Sequence, residues 1–173
     1  MIAFSATAIR VIWLVIEYPY VRRFRVSPAR DWDRHSAKVW DVANLIEPVG
    51  LILALMGIGR IQTGAEFIAP LGLILLVFGI VIRWWAIWTL GKFFTSTVLI
   101  KDDHQLVRTG LYRYLRHPAY TGALLAHLGL GLSFCSWLSL LLSSLPFFVA
   151  AFYRMHLEEK ALEQAFGGEF SIM

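Results

Sequence analysis

The chain has 173 residues, of which 58% are hydrophobic and only 16% are charged. Soluble domains usually have about 25% charged residues, so this composition indicates a protein whose surface is largely surrounded by lipid. A single cysteine, Cys135, excludes an internal disulfide, and the net charge of +4 follows from basic loops, which leaves no argument for a nucleic-acid partner.

Four apolar stretches predict the membrane helices, at residues 2–20, 45–61, 67–88 and 119–153. The first has no basic start and no cleavage site, so we interpret it as a retained helix rather than a signal peptide. A crossing takes about 20 residues, so the fourth stretch fits two short helices with a turn at the serines around Cys135. The prediction is an all-α polytopic membrane protein with about five transmembrane helices. We expect a single domain, 1–173, with N-terminal helices in 1–82 and a functional core in 83–173.

The basic residues concentrate in two loops, after the first and third spans. The first loop contains Arg22, Arg23, Arg25, Arg30, Arg34 and Lys38, and the second contains Lys92, Lys101, Arg108, Arg113 and Arg116. With five spans and an outside N-terminus, both loops and the C-terminal segment face the cytoplasm.

Three further features of the spans carry expectations. Trp84, Trp85 and Trp88 are typical of an aromatic belt at the interface. Arg83 beside them is expected to extend to the same interface. Gly129 and Gly131 are expected to permit close helix contact.

The loop at residues 101–122 is the first candidate for chemistry. Pro118 suits the first position of a helix and keeps His117 out of helical geometry. The backbone N–H groups at such a helix start attract an anion, and Arg116 and His117 add donors. The alternative is a basic membrane-anchoring loop that precedes an ordinary helix.

The second candidate is the polar segment at residues 154–159. Arg154 and Glu158 are four residues apart, on one face of a helix that Gly167 and Gly168 end. The alternative is a surface ion pair at the end of a membrane helix. The sequence has no nucleotide-type glycine fingerprint after a strand and no Cys/His spacing for a metal.

These two segments together resemble a known family. Residues 116–122 are similar to the Arg-His-Pro-x-Tyr-x-Gly signature of the isoprenylcysteine carboxyl methyltransferase and phospholipid methyltransferase superfamily. Residues 154–159 and 166–170 resemble its Arg-x-x-x-Glu-Glu and Phe-Gly-x-Glu-Tyr segments, although Phe170 replaces the tyrosine. Residues 90–95 resemble the family's segment that precedes this signature. The resemblance therefore covers about residues 83–170.

The resemblance implies an S-adenosylmethionine pocket closed by the last hairpin and the C-terminal helix. The implied cofactor-binding residues are His104, Gln105, Leu106, Val107, Tyr112, Arg116, His117, Pro118, Ala119, Tyr120 and Glu158, with no metal. Arg154 matches the arginine that faces the methyl acceptor.

We interpret the protein as a membrane methyltransferase that acts on a carboxylate of a lipophilic, isoprenylcysteine-like acceptor. A carboxylate is ionised at neutral pH and needs no general base, so positioning and exclusion of water suffice. The acceptor would enter from the bilayer and the cofactor from the cytoplasm. Two alternatives remain: a phospholipid amine N-methyltransferase, and a non-catalytic protein that retains the fold.

Overall fold

A computed structural model describes residues 1–24, 31–94 and 106–167, except for the side chains of residues 31–35 and 37. The described chain is all-helical, which confirms the predicted fold class. Its long helices are α1 (Ile2–Arg23), α2 (Asp31–Leu55), α3 (Ala65–Leu90), α4 (Pro118–Ser133) and α5 (Trp137–Phe166), and two short 3₁₀ helices span Gly91–Phe93 and Gly110–Arg113.

Three of these helices are long and apolar enough to cross a membrane: α1, α3 with its 3₁₀ extension, and α5. The helix α4 has only 16 residues, and the first half of α2 is polar. That α2 and α4 also cross therefore stays a prediction.

The second helix does not have the boundaries that the sequence predicts. It covers Asp31–Leu55 rather than 45–61, so part of the predicted basic loop is helical. Hydropathy misses its first half because that half is rich in charged residues, so it has no apolar run to mark it. The helix ends before Gly57 and Gly59, whose positive φ angles of 80° and 68° suit glycine in a turn.

The hairpin predicted within residues 119–153 is confirmed, but its second helix is not short, because it also includes the C-terminal helix that the sequence predicted as a separate element. The helix α4 ends at Ser133, and Ser136 caps α5 by accepting a hydrogen bond from the Ser139 N–H. The helix α5 then continues unbroken for 30 residues to Phe166, with Gly167 at its C-cap. At 1.5 Å per residue it is about 45 Å long, which exceeds the roughly 30 Å of hydrocarbon and carries its polar end into the membrane surface region.

Glycines bring α3 and α4 into backbone contact. A Cβ atom on Gly72 or Gly79 of α3 would overlap the backbone of α4, and one on Gly122 or Gly129 of α4 would overlap the backbone of α3. Gly131 lies equally close to α5, so the expectation of close contact at Gly129 and Gly131 is confirmed. This packing fixes the start of α4, where the signature segment lies, against the end of α3.

Gly79→Ala is expected to destabilise the helix bundle by about 1–3 kcal/mol, because a methyl group at this position overlaps the backbone of Ala126. The measurement is the thermal unfolding midpoint of the detergent-purified protein. Val81→Ile is the control, since it also adds one carbon but at a position that is 54% exposed on the lipid side of α3. Equal midpoints for both variants would contradict the proposed packing.

Candidate active site

The tyrosine of the signature segment joins the two polar residues of α5. The Tyr120 hydroxyl donates a hydrogen bond to Glu158 Oε2 at 3.0 Å and accepts one from Arg154 Nε at 3.3 Å. Tyr120 lies in the first turn of α4, while Arg154 and Glu158 lie one turn apart on α5. The two segments that the sequence singles out therefore meet at one phenol.

His117 pairs with the second glutamate of α5. Its Nε2 lies 2.9 Å from Glu159 Oε1, and its ring lies 5.8 Å from the ring of Tyr120. His117 is the N-cap of α4, and Pro118 is the first helical residue, as predicted. No side chain in the described part of the chain caps this helix start, so the N–H groups of Ala119 and Tyr120 lie at its positive end.

Tyr112 lies near Glu158 and Tyr120 and comes from a different element of the chain. It lies on the 3₁₀ helix Gly110–Arg113, which packs against α3. Burial raises the pKa of the Tyr112 phenol, and the nearby Glu158 and Tyr120 raise it further. The phenol therefore stays protonated at physiological pH and is available as a hydrogen-bond donor beside Glu158.

Arg83 does not extend to the interface, so that expectation was wrong. It is buried, its Nε and Nη2 lie 2.8 and 2.6 Å from Glu17 Oε1, and its Nη1 donates to the Ala119 carbonyl at 3.2 Å. Glu17 also accepts a hydrogen bond from Trp13. An ionised group inside the membrane is costly without a partner, and Glu17 within α1 is the only sequence signal that could have predicted this pair.

A cavity of about 540 Å³ extends from Arg154 into the bundle. Its lining comes from all five long helices: Arg10, Trp13, Leu14, Glu17, Tyr18, Val21, Arg22, Trp40, Asp41, Asn44, Leu45, Glu47, Pro48, Arg83, His127 and Arg154. The helix α1 packs on α3 and α4, whereas α2 packs on α5, so the cavity lies between α1 and α2. Leu14, Tyr18 and Leu45 at its edge are exposed, which opens it toward the lipid side.

The predicted site residues divide into three groups. Those that lie together are Tyr112, His117, Tyr120, Arg154 and Glu158, with Pro118 and Ala119 buried beneath them. Leu106 and Val107 are half-buried and Arg116 is exposed, in the segment that leads to α4. His104 and Gln105 lie outside the described residues. Within the described ranges, no group of three or more His, Cys, Asp or Glu side chains is placed to hold a metal ion.

The fold and this site define a helical membrane protein with a polar site at the end of its last hairpin. Residues 72–164 match the isoprenylcysteine carboxyl methyltransferase (ICMT) family, and the chain belongs to that family. The matched range begins within α3. It includes the residues that lie together at the site: Tyr112, His117, Tyr120, Arg154 and Glu158.

Curated relatives carry the same family name. A probable protein-S-isoprenylcysteine O-methyltransferase of Oryza sativa subsp. indica is 36% identical over 96 residues, which are 54% of this chain and 50% of that protein. Protein-S-isoprenylcysteine O-methyltransferase B of Arabidopsis thaliana is 31% identical over 54% of this chain and 49% of its own length. The Saccharomyces cerevisiae protein-S-isoprenylcysteine O-methyltransferase is 34% identical over 54% of this chain and 40% of its length. The chain thus matches half or less of the length of these relatives.

Proposed function

We propose that this protein is a membrane methyltransferase that moves a methyl group from S-adenosylmethionine to a carboxylate of a lipophilic, isoprenylcysteine-like acceptor. The observation that carries the proposal is the position of Arg154. It contacts the Tyr120–Glu158 pair on one side and lines the lipid-facing cavity on the other. The names of the curated relatives support the same reaction.

The residues of the site fit the proposed cofactor. S-adenosylmethionine carries a cationic amine, ribose hydroxyls and a carboxylate, and when bound it supplies a methyl group on a positively charged sulfur. Glu158 offers a carboxylate and Tyr112 a phenol, while the positive start of α4 suits the carboxylate of the cofactor. The other residues proposed to hold it are His104, Gln105, Leu106, Val107, Arg116, His117, Pro118, Ala119 and Tyr120.

Arg154 is proposed to bind the acceptor carboxylate. A guanidinium binds a carboxylate in a two-pronged geometry, and the Nε bond to Tyr120 orients the Arg154 side chain. The acceptor is already ionised, so no residue has to remove a proton. The chain contributes orientation and exclusion of water.

The opening between α1 and α2 is proposed as the entrance for the acceptor. Its edge is apolar, so a lipid chain can pass from the bilayer into the cavity while the carboxylate reaches Arg154. An ammonium acceptor is disfavoured here, because arginines outnumber carboxylates in the cavity lining and Arg10 and Arg83 already pair with Glu47 and Glu17. The site is proposed to face the cytoplasm, and the concentration of lysine and arginine in the two basic loops of the sequence supports this orientation.

Glu158→Ala and His117→Ala are each expected to weaken S-adenosylmethionine binding roughly ten- to a hundredfold. Each removes a charge-assisted hydrogen bond, which contributes about 1.5–3 kcal/mol, from a partly exposed position where little core packing is lost. Titration calorimetry on the detergent-purified protein measures the affinity. Glu163→Ala is the matched control, since it removes an exposed carboxylate from the same helix. Unchanged affinity in both site variants would mean that the cofactor binds elsewhere.

A further inference from the structure

The cavity has two polar layers, one above the other. Four of the helices each contribute two residues that line or flank the cavity and are seven positions apart. These pairs are Arg10 and Glu17, Trp40 and Glu47, Tyr120 and His127, and Phe147 and Arg154. Seven residues make about two helical turns, or roughly 10 Å along each helix. The upper layer contains Arg154, the proposed acceptor residue, and the lower layer forms a polar floor of Arg10, Asn44, Glu47 and His127.

The floor is a connected network of charged and polar side chains. Glu47 accepts a hydrogen bond from Arg10 Nε at 2.9 Å and lies 2.5 Å from His127 Nδ1. Arg10 also donates to the Asn44 side-chain oxygen at 3.2 Å. Arg10 and Glu47 are each 5% exposed or less, so this network ties α1, α2 and α4 together in the interior.

The hydrogen bonds define which nitrogen of His127 carries its proton. Glu47 is ionised because it pairs with Arg10, so His127 Nδ1 is the donor. Four arginines and three carboxylates line the cavity, and a second proton on His127 would add another cation to a set already in excess. His127 is therefore neutral, and its Nε2 has a lone pair that accepts a hydrogen bond.

Nε2 of His127 is the unused group of this network. The residue is 2% exposed, its ring stacks on Phe147 at 3.4 Å between centroids, and it lines the cavity. Within the described ranges Nε2 has no hydrogen-bond partner. Ser144 Oγ is the only side-chain polar atom there that is both unpartnered and fully enclosed, so Nε2 itself is not fully enclosed. Nε2 is therefore open to the cavity. The contact between α4 and α2 uses only Nδ1 of His127, which bonds Glu47, so Nε2 is available for a ligand.

We propose that the floor is a second subsite of the acceptor cavity, in which His127 Nε2 accepts a hydrogen bond from a hydroxyl on the acceptor's chain. The hydroxyl would lie about 10 Å from the methylated carboxylate, the separation of the two layers. A plain hydrocarbon chain at this depth leaves Nε2 unpaired, and such sites discriminate against ligands that lack the donor. This inference rests on the proposed function because it assumes that the acceptor carboxylate binds Arg154.

The test uses N-acetyl-S-alkylcysteines of one chain length, either unsubstituted or with one hydroxyl moved along the alkyl chain. Binding is measured by titration calorimetry on the cofactor-free protein in detergent, and methyl transfer is measured in parallel. We expect one position of the hydroxyl, about 10 Å from the carboxylate, to bind roughly three- to tenfold tighter than the plain compound and to lower KM equally. Hydroxyls at other positions along the chain should give no comparable gain, because they do not reach His127 Nε2.

Two substitutions separate the subsite from the structural network. His127→Asn retains a donor toward Glu47 but lacks a group at the position of Nε2, so the hydroxyl preference should disappear while the thermal midpoint stays close to that of the unaltered protein. His127→Gln places an acceptor nearer the position of Nε2 and should retain part of the preference. Equal binding of all compounds, or a preference that survives His127→Asn, would overturn the subsite.

The outcomes also distinguish this inference from the proposed function. If the plain compound binds and is methylated but no hydroxyl position improves it, the subsite fails and the proposed function stands. If a hydroxyl preference appears in binding but no compound is methylated in the presence of bound cofactor, the proposed function fails and the subsite stands. No binding by any compound would overturn both.

Discussion

Arg154→Ala is expected to lower methyl transfer about a hundredfold while the affinity for S-adenosylmethionine changes little. The guanidinium lines the cavity proposed for the acceptor, and under that proposal its two-pronged bond to a carboxylate would position the reacting oxygen. Loss of charge-assisted hydrogen bonds of about 1.5–3 kcal/mol in total accounts for a factor of this size. Turnover with a prenylated cysteine and calorimetric cofactor binding, measured on the same preparations, provide the comparison.

Two further variants make this experiment specific. Arg154→Lys should recover only part of the activity, because an ammonium is a point charge and lacks the planar fork. Arg60→Ala removes an arginine near the opposite end of the bundle, where the Arg60 backbone pairs with Ser136 between the helices, and it should leave turnover unchanged.

Equal losses of cofactor binding and turnover in Arg154→Ala would contradict the acceptor role. Arg154 would then act only through Tyr120, as a support for Glu158. An increase in transfer to an aminophospholipid by the same variant would instead favour the amine N-methyltransferase, because removal of a cation favours a cationic acceptor.

Arg83→Met is expected to cost about 3–5 kcal/mol of stability, because it leaves Glu17 buried without its counterion. The paired side chains are 10% and 14% exposed, and Arg83 also donates to the Ala119 carbonyl in the signature segment. Glu17→Gln alone should lower the stability by a similar amount, since it leaves the buried Arg83 guanidinium without its counterion. The thermal midpoint in detergent measures the effect.

The double variant Arg83→Met with Glu17→Gln provides the decisive comparison. It removes both charges, so most of the lost stability should return, whereas two independent losses would add. Glu66→Gln serves as the control, because Glu66 is an exposed acid at the start of α3. A double variant that is no more stable than either single variant would show that the pair does not account for the loss.

Local features of the sequence predicted most of the architecture. Long apolar runs predict helices because lipid requires every backbone polar group to be paired within the segment, and this reasoning located α1, α3 and the α4–α5 hairpin. Pro118 predicted the start of α4 because its missing N–H is tolerated only in the first turn. The meeting of the signature segment with Arg154 and Glu158 was also predictable, since a short hairpin returns the chain to the same membrane face.

Only the tertiary structure determined the partners of the charged residues within the helices. Hydropathy treats Arg10, Glu17, Glu47 and Arg83 only as interruptions of apolar runs. Nothing in the local sequence shows which of them pair. Their pairing depends on how α1 and α2 are placed against α3 and α4, and the residues in contact are as many as 66 positions apart. The sequence did not predict the start of α2 because that half is rich in charged residues and carries no long apolar run. The lipid-facing cavity and its polar floor are therefore properties of the packed bundle, because each is bounded by side chains from several helices that no single segment of the sequence brings together.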